Sequence, residues 1–97
     1  MATYIMLANF TEQGIKNVMD TPKRAEAVKA MAKKAGVTMK EVYWTLGAYD
    51  VVAVYDAPDD ASMTALGLSI GKLGNVRTQT LRAFTAADMK GILGKVV

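Results

Sequence analysis

Val42-Tyr43-Trp44-Thr45-Leu46-Gly47-Ala48-Tyr49-Asp50-Val51-Val52-Ala53-Val54-Tyr55 reads as two β-strands around a tight reversal. Val42 to Leu46 and Val51 to Tyr55 are rich in β-branched and aromatic residues, which suit a pleated and packed surface. Between them Gly47 supplies backbone freedom, and the Asp50 carboxylate is placed to accept hydrogen bonds from nearby backbone amides. A hairpin here fixes a fold better than it fixes a function.

Working outward, the second strand extends back to about Val37, and a helix precedes it. That helix is capped by Asp20 or Thr21, has Pro22 at its first position and runs to Ala35. Its residues Ala25, Val28, Met31, Ala32 and Ala35 recur at the three-and-four spacing of one face, and Gly36 ends it. Tyr4-Ile5-Met6-Leu7-Ala8 is a continuous apolar run, too short for a free-standing helix and suited to a strand buried on both faces. Thr11-Glu12-Gln13-Gly14 is a turn that opens a short helical piece through Ile15 and Val18. Downstream, Pro58-Asp59-Asp60 starts a second long helix with acids where the helix dipole favours them. Met63, Leu66, Ile70 and Leu73 are its inward residues, and Gly74-Asn75 ends it. A fourth strand from Val76 to Phe84 carries Arg77, Thr78, Gln79, Thr80 and Arg82. Thr85-Ala86-Ala87-Asp88 resembles a capping box opening a terminal helix that Gly91 and Gly94 weaken.

The order is β-α-β-β-α-β plus a short C-terminal helix. It predicts an α+β ferredoxin-like fold with a four-stranded antiparallel sheet, in a single domain over residues 1–97. Such a sheet places its first and third strands in the middle, and these are the two that read apolar on both faces. The second and fourth, at the edges, carry most of the polar residues. Helices cover one face only, so the other face of the central strands meets water unless a second sheet covers it. A homodimer with sheets face to face, or a higher oligomer of such dimers, is the expected remedy.

Among the 97 residues there is no Cys and no His, and 52% are hydrophobic. Without Cys there is no disulfide, thiolate nucleophile or thiolate-held metal, and without His the usual haem and metal ligand and the usual neutral-pH base are gone. No metal and no cofactor is expected. The net charge of +3 rests largely on Lys23, Arg24, Lys29, Lys33 and Lys34, which complement the apolar stripe of the first long helix as a solvated face does. No nucleic-acid motif accompanies it, no signal peptide opens the chain, and no run approaches the roughly 20 apolar residues of a membrane span. The expectation is a cytoplasmic protein without nucleic-acid or membrane partners.

Tyr43-Trp44-Thr45-Leu46-Gly47-Ala48-Tyr49-Asp50, Asn9-Phe10-Thr11, Asp20-Thr21-Pro22-Lys23-Arg24 and Gly74-Asn75-Val76-Arg77-Thr78-Gln79-Thr80 together resemble the GYD domain family over nearly the whole chain. Here the Gly stands one residue early, giving Gly-x-Tyr-Asp. The resemblance implies a small bacterial or archaeal protein with the dimeric α/β-barrel form of the ferredoxin-like fold. It implies little about activity: similar barrels include cofactor-independent monooxygenases, isomerases, haem enzymes and effector-binding domains of regulators, and fold analogy only ranks such options.

Asp50 and Tyr49 are the catalytic candidates, Asp50 as a buried base and Tyr49 as a phenolic donor. The plainer readings are a turn-capping acid and an aromatic packed across the hairpin. Tyr43 and Trp44 alternate along a strand and must face opposite ways, so at most one lines a given pocket, and Trp44 is the interface anchor. Thr78, Thr80 and Arg82 share one strand face and are suited to a carboxylate or carbonyl, Arg82 as a preorganised fork. The plainer alternative is a polar edge strand with Arg82 paired to Asp50 or Asp56. With Tyr43 and Tyr49 these form the expected ligand-binding set. Gly67, Gly71 and Gly74 read either as room for a ligand between helix and sheet or as close backbone packing. Three functions follow: a homo-oligomer binding a small carbonyl-bearing or aromatic molecule, a cofactor-independent monooxygenase or isomerase, and an interaction module with no ligand site.

Overall fold

The apolar run at the N-terminus becomes an interior strand. A computed structural model describes residues 1–97. In chain order its elements are β1 (Ala2–Phe10), α1 (Glu12–Lys16), a 3-10 turn (Val18–Asp20), α2 (Thr21–Lys34), β2 (Thr38–Trp44), β3 (Val51–Ala57), α3 (Asp60–Gly71), β4 (Val76–Ala83) and α4 (Ala86–Leu93). All strand pairs are antiparallel and the sheet order is β2-β3-β1-β4. The doubly apolar strands lie inside and the polar ones at the edges, as the ferredoxin-like reading requires.

Register sorts the residues onto two faces. Tyr4 stands opposite Tyr55 and Arg82, Met6 opposite Ala53 and Thr80, and Ala8 opposite Val51 and Thr78, so these share the helix-covered face. There Tyr4, Met6, Ala53 and Tyr55 pack with Ala32 of α2 and with Met63, Leu66 and Ile70 of α3. On the other face Ile5, Leu7, Val52 and Val54 are only half-buried, and Leu81 beside them is 40% exposed. No helix is long and apolar enough to cross a membrane.

Local chemistry sets the helix ends. Asp59 accepts from the Ser62 backbone amide at 2.8 Å and caps α3; that hydrogen bond holds its carboxyl below the usual carboxylate range. The capping box of α4 forms as expected, Asp88 N–H donating to Thr85 Oγ1 at 3.1 Å and Thr85 N–H to Asp88 Oδ2 at 2.9 Å.

Other expectations need correction. Asp20 makes no side-chain cap; its carboxylate lies 3.9 Å from Arg24, and α2 starts at Thr21 with Pro22 second. Strand β2 stops at Trp44 instead of Leu46, because Thr45 N–H donates to Asp50 O at 2.9 Å and encloses residues 46–49 in a longer loop than a two-residue turn. Helix α3 ends at Gly71, which leaves Leu73 beyond it and 49% exposed. The stripe on α2 is placed correctly, yet only Ala32 is fully buried and Ala35 is exposed as the C-cap.

Candidate functional site

Three of the sequence motifs converge at one end of the sheet. Strand β1 pairs with β3 only as far as Ala8 opposite Val51, so the amide of Phe10 has no strand partner on that side. Asp50 Oδ2 accepts from it at 2.9 Å, and Asp50 N–H donates to Ala8 O at 2.9 Å. The carboxylate thus caps the end of β1 and not its own hairpin. Alongside, Thr11 N–H donates to Asn75 O at 3.1 Å, Thr11 Oγ1 to Gly74 O at 2.5 Å, and Gln13 Nε2 to Asn75 Oδ1 at 2.9 Å. Gly74 has φ +83, the left-handed conformation that Gly adopts without a steric cost.

Along β4, beside α3, the helix-covered face lies open. Thr78, Thr80 and Arg82 line a cleft of about 740 Å³ there, facing Gly67, Gly71, Thr64 and Asp60 of α3 and Lys72 just past it. A Cβ added at Gly67 or Gly71 would meet nothing within 4 Å. Close backbone packing therefore does not explain these two glycines; they widen the cleft. Gly74 does not belong with them, because it sits in the turn against Gln13.

The cleft also holds a pair that sequence reading missed. Tyr4 Oη donates to Asp60 Oδ1, and that hydrogen bond, with burial second, holds the Tyr4 phenol above its ordinary pKa. Arg82 lies 5.5 Å from the Tyr4 ring and 4.6 Å from the Phe84 ring, and donates to Thr3 O at 3.2 Å and to Ala83 O. It makes no ion pair with Asp50 or Asp56; Asp56 faces Lys40 at 3.5 Å instead. Guanidinium carries five N–H donors, so Arg82 keeps others free for an anion.

The expected ligand set divides between the two faces. Tyr43 is on the open face, 55% exposed, its hydroxyl donating to Glu41 Oε2 at 2.7 Å. Tyr49 Oη donates at 3.3 Å to Gln79, which stands opposite Leu7 on that same open face. Neither joins Thr78, Thr80 and Arg82. Trp44 faces the helices, its Nε1 donating to Thr21 Oγ1 at 3.1 Å, so it anchors α2 within its own chain. Asp50 is level with Ala8 and Arg82 with Tyr4, four residues along β1, which is about 13 Å at strand rise. A single step in which Asp50 moves a proton while Arg82 steadies an enolate has no support in this geometry.

A four-stranded antiparallel sheet of this order under two long helices defines a ferredoxin-like α+β protein. Within that class the chain belongs to the GYD domain family, whose model matches residues 4–93. It is 33% identical over 90 residues, 92% of this chain and 95% of the other, to a Thermus thermophilus protein named glutamine synthetase and cystathionine beta-lyase binding protein. A crystal structure of a Thermus thermophilus protein aligns with TM-score 0.58 at 27% identity, covering 89% of this chain and 96% of that one. A hypothetical protein from Pyrococcus horikoshii aligns with TM-score 0.60 at 22% identity, covering 88% and 92%, a likeness of fold alone.

Proposed function

We propose that this GYD-family chain self-associates through its open sheet face and binds a small organic molecule bearing a carbonyl or carboxylate in the cleft between α3 and β4. The observation that carries the reading is the pair Gly67 and Gly71, which face open space opposite the row Thr78, Thr80 and Arg82. Small residues on one wall and hydrogen-bond donors on the other make a site with volume and directionality. Arg82 and Lys72 supply the attraction for an anion, the two threonine hydroxyls orient it, and Tyr4 tethered to Asp60 fixes the floor. Ile5, Leu7, Val52, Val54 and Leu81 form the apolar patch that a second copy would cover.

The test is a titration with benzoate followed by NMR. The amides of Thr78 and Thr80 should shift saturably, Arg82→Leu should weaken binding about 20-fold through loss of a charge-assisted hydrogen bond, and Gly71→Leu should abolish it by filling the cleft. Equal affinities in the wild type and both variants would remove the cleft from consideration.

A second reading is favoured by the Thermus relative, whose name describes binding to two enzymes. On that reading the chain is an accessory protein that docks on metabolic enzymes. The two differ in what a native preparation retains: a small adduct under the first, an intact enzyme under the second.

A further inference from the structure

We propose that the cavity between α2 and the sheet is a second, separate site, for a neutral ring-sized molecule carrying one hydrogen-bonding oxygen. The cavity holds about 130 Å³. For scale, an engineered apolar cavity of about 150 Å³ takes up benzene. It exists because small residues face each other across the layer: Ala25 and Val28 of α2 stand above Ala8 and Ala53 of the sheet, and none reaches far enough to close the gap. The indole of Trp44, tied to Thr21 at the start of α2, forms part of the wall.

The second observation is Tyr55. The residue lines the cavity and is 1% exposed. Burial alone pushes its phenol up to about 12, with no hydrogen bond contributing, and the oxygen is not sealed among side chains. The hydroxyl has no partner within the protein and is not a sealed, unsatisfied group, so a ligand oxygen can take the place of the water it meets. Sixteen of the nineteen lining residues are hydrophobic. The charged one, Arg24, already donates to Asn17 O at 3.2 Å and lies 3.9 Å from Asp20. A neutral molecule fits this lining and a charged one does not. No lining residue is shared with the α3–β4 cleft.

Trp44 is the sole Trp, so its emission reports occupancy directly. Cyclohexanol, which does not absorb where Trp is excited, is the probe. Its titration should give a saturable change in emission, and cyclohexanecarboxylate should give none. Tyr55→Phe keeps the packing, and by removing one hydrogen bond should weaken cyclohexanol about fivefold. Ala25→Leu should abolish the response by filling the space; Ala53→Val fills it from the sheet side and should do the same if Ala25→Leu does not fold. Gly71→Leu, which fills the other cleft, should leave it unchanged, so the two sites stand or fall separately. No saturable change in the wild type, a response that survives both fillers, or equal affinity in Tyr55→Phe would each overturn the proposal.

Discussion

Gly14→Ala should lower the unfolding free energy by on the order of 3 kcal/mol, the upper end of the overpacking range. At this chain length that is a fall in the melting midpoint of roughly 12–24 °C. Gly14 is the buried residue of α1, and a Cβ there would lie 1.9 Å from the carbonyl oxygen of Asn75. That carbonyl has nowhere to go, because it accepts from Thr11 N–H at 3.1 Å and the neighbouring Gly74 carbonyl accepts from Thr11 Oγ1 at 2.5 Å. One methyl group therefore drives the start of α1 and the start of β4 apart. Gly67→Ala is the matched control: with nothing within 4 Å of its added Cβ, it should be neutral or stabilise by up to about 1 kcal/mol through helix propensity. Thermal melts of the two variants beside the wild type read the contrast. A Gly14→Ala midpoint within a few degrees of wild type would mean that the clasp between residues 11–14 and 73–75 is looser than described.

Leu66→Ala should be comparably severe, about 3 kcal/mol, within the 2–5 kcal/mol range of leucine truncations in cores. Leu66 is 1% exposed and, with Met63 and Ile70, seats α3 on Tyr4, Met6 and Tyr55. Neighbours on a sheet and a capped helix cannot collapse into the gap left by its missing carbons. Urea unfolding should show a lower midpoint with an unchanged m-value. Leu68→Ala, on an exposed side chain of the same helix, should change stability by less than about 0.5 kcal/mol. Similar losses at the two positions would contradict the orientation of α3.

The parts of the fold that were readable before the structure depend on local chemistry. Tyr4 to Ala8 and Val51 to Tyr55 are apolar at every position, so they had to be interior strands. Thr85 and Asp88 stand three apart and close their box without help from elsewhere, and Gly36 stops α2 by itself. What stayed hidden depends on register or on chain segments far apart. Asp50 next to a turn looks like a turn cap, and only the overhang of β1 past Val51 hands it the Phe10 amide. Asp60 looks like a helix-dipole acid, and Tyr4 like one more core residue, until pairing places Tyr4 opposite Arg82 and α3 brings Asp60 to its hydroxyl.

The same distinction runs through the site. Alternation placed Thr78, Thr80 and Arg82 on one face and separated Tyr43 from Trp44, which is a property of any strand. It did not say which face the helices cover, and that choice moves Tyr43 and Tyr49 away from the cleft and turns Trp44 inward. Whether the glycines of α3 mark contact or space depended on how far the helix stands from β4, a distance set by how Met63, Leu66 and Ile70 pack into the core.

Native mass spectrometry of the protein purified from the organism that makes it, with Gly71→Leu prepared alongside, tests the cleft and the open sheet face together. The predicted spectrum is a dimer, or a multiple of one, with a reproducible small added mass per chain that the Gly71→Leu protein lacks. A bare monomer, or an added mass carried equally by both proteins, would contradict it, and an intact enzyme bound in place of the small mass would shift the assignment to the docking role.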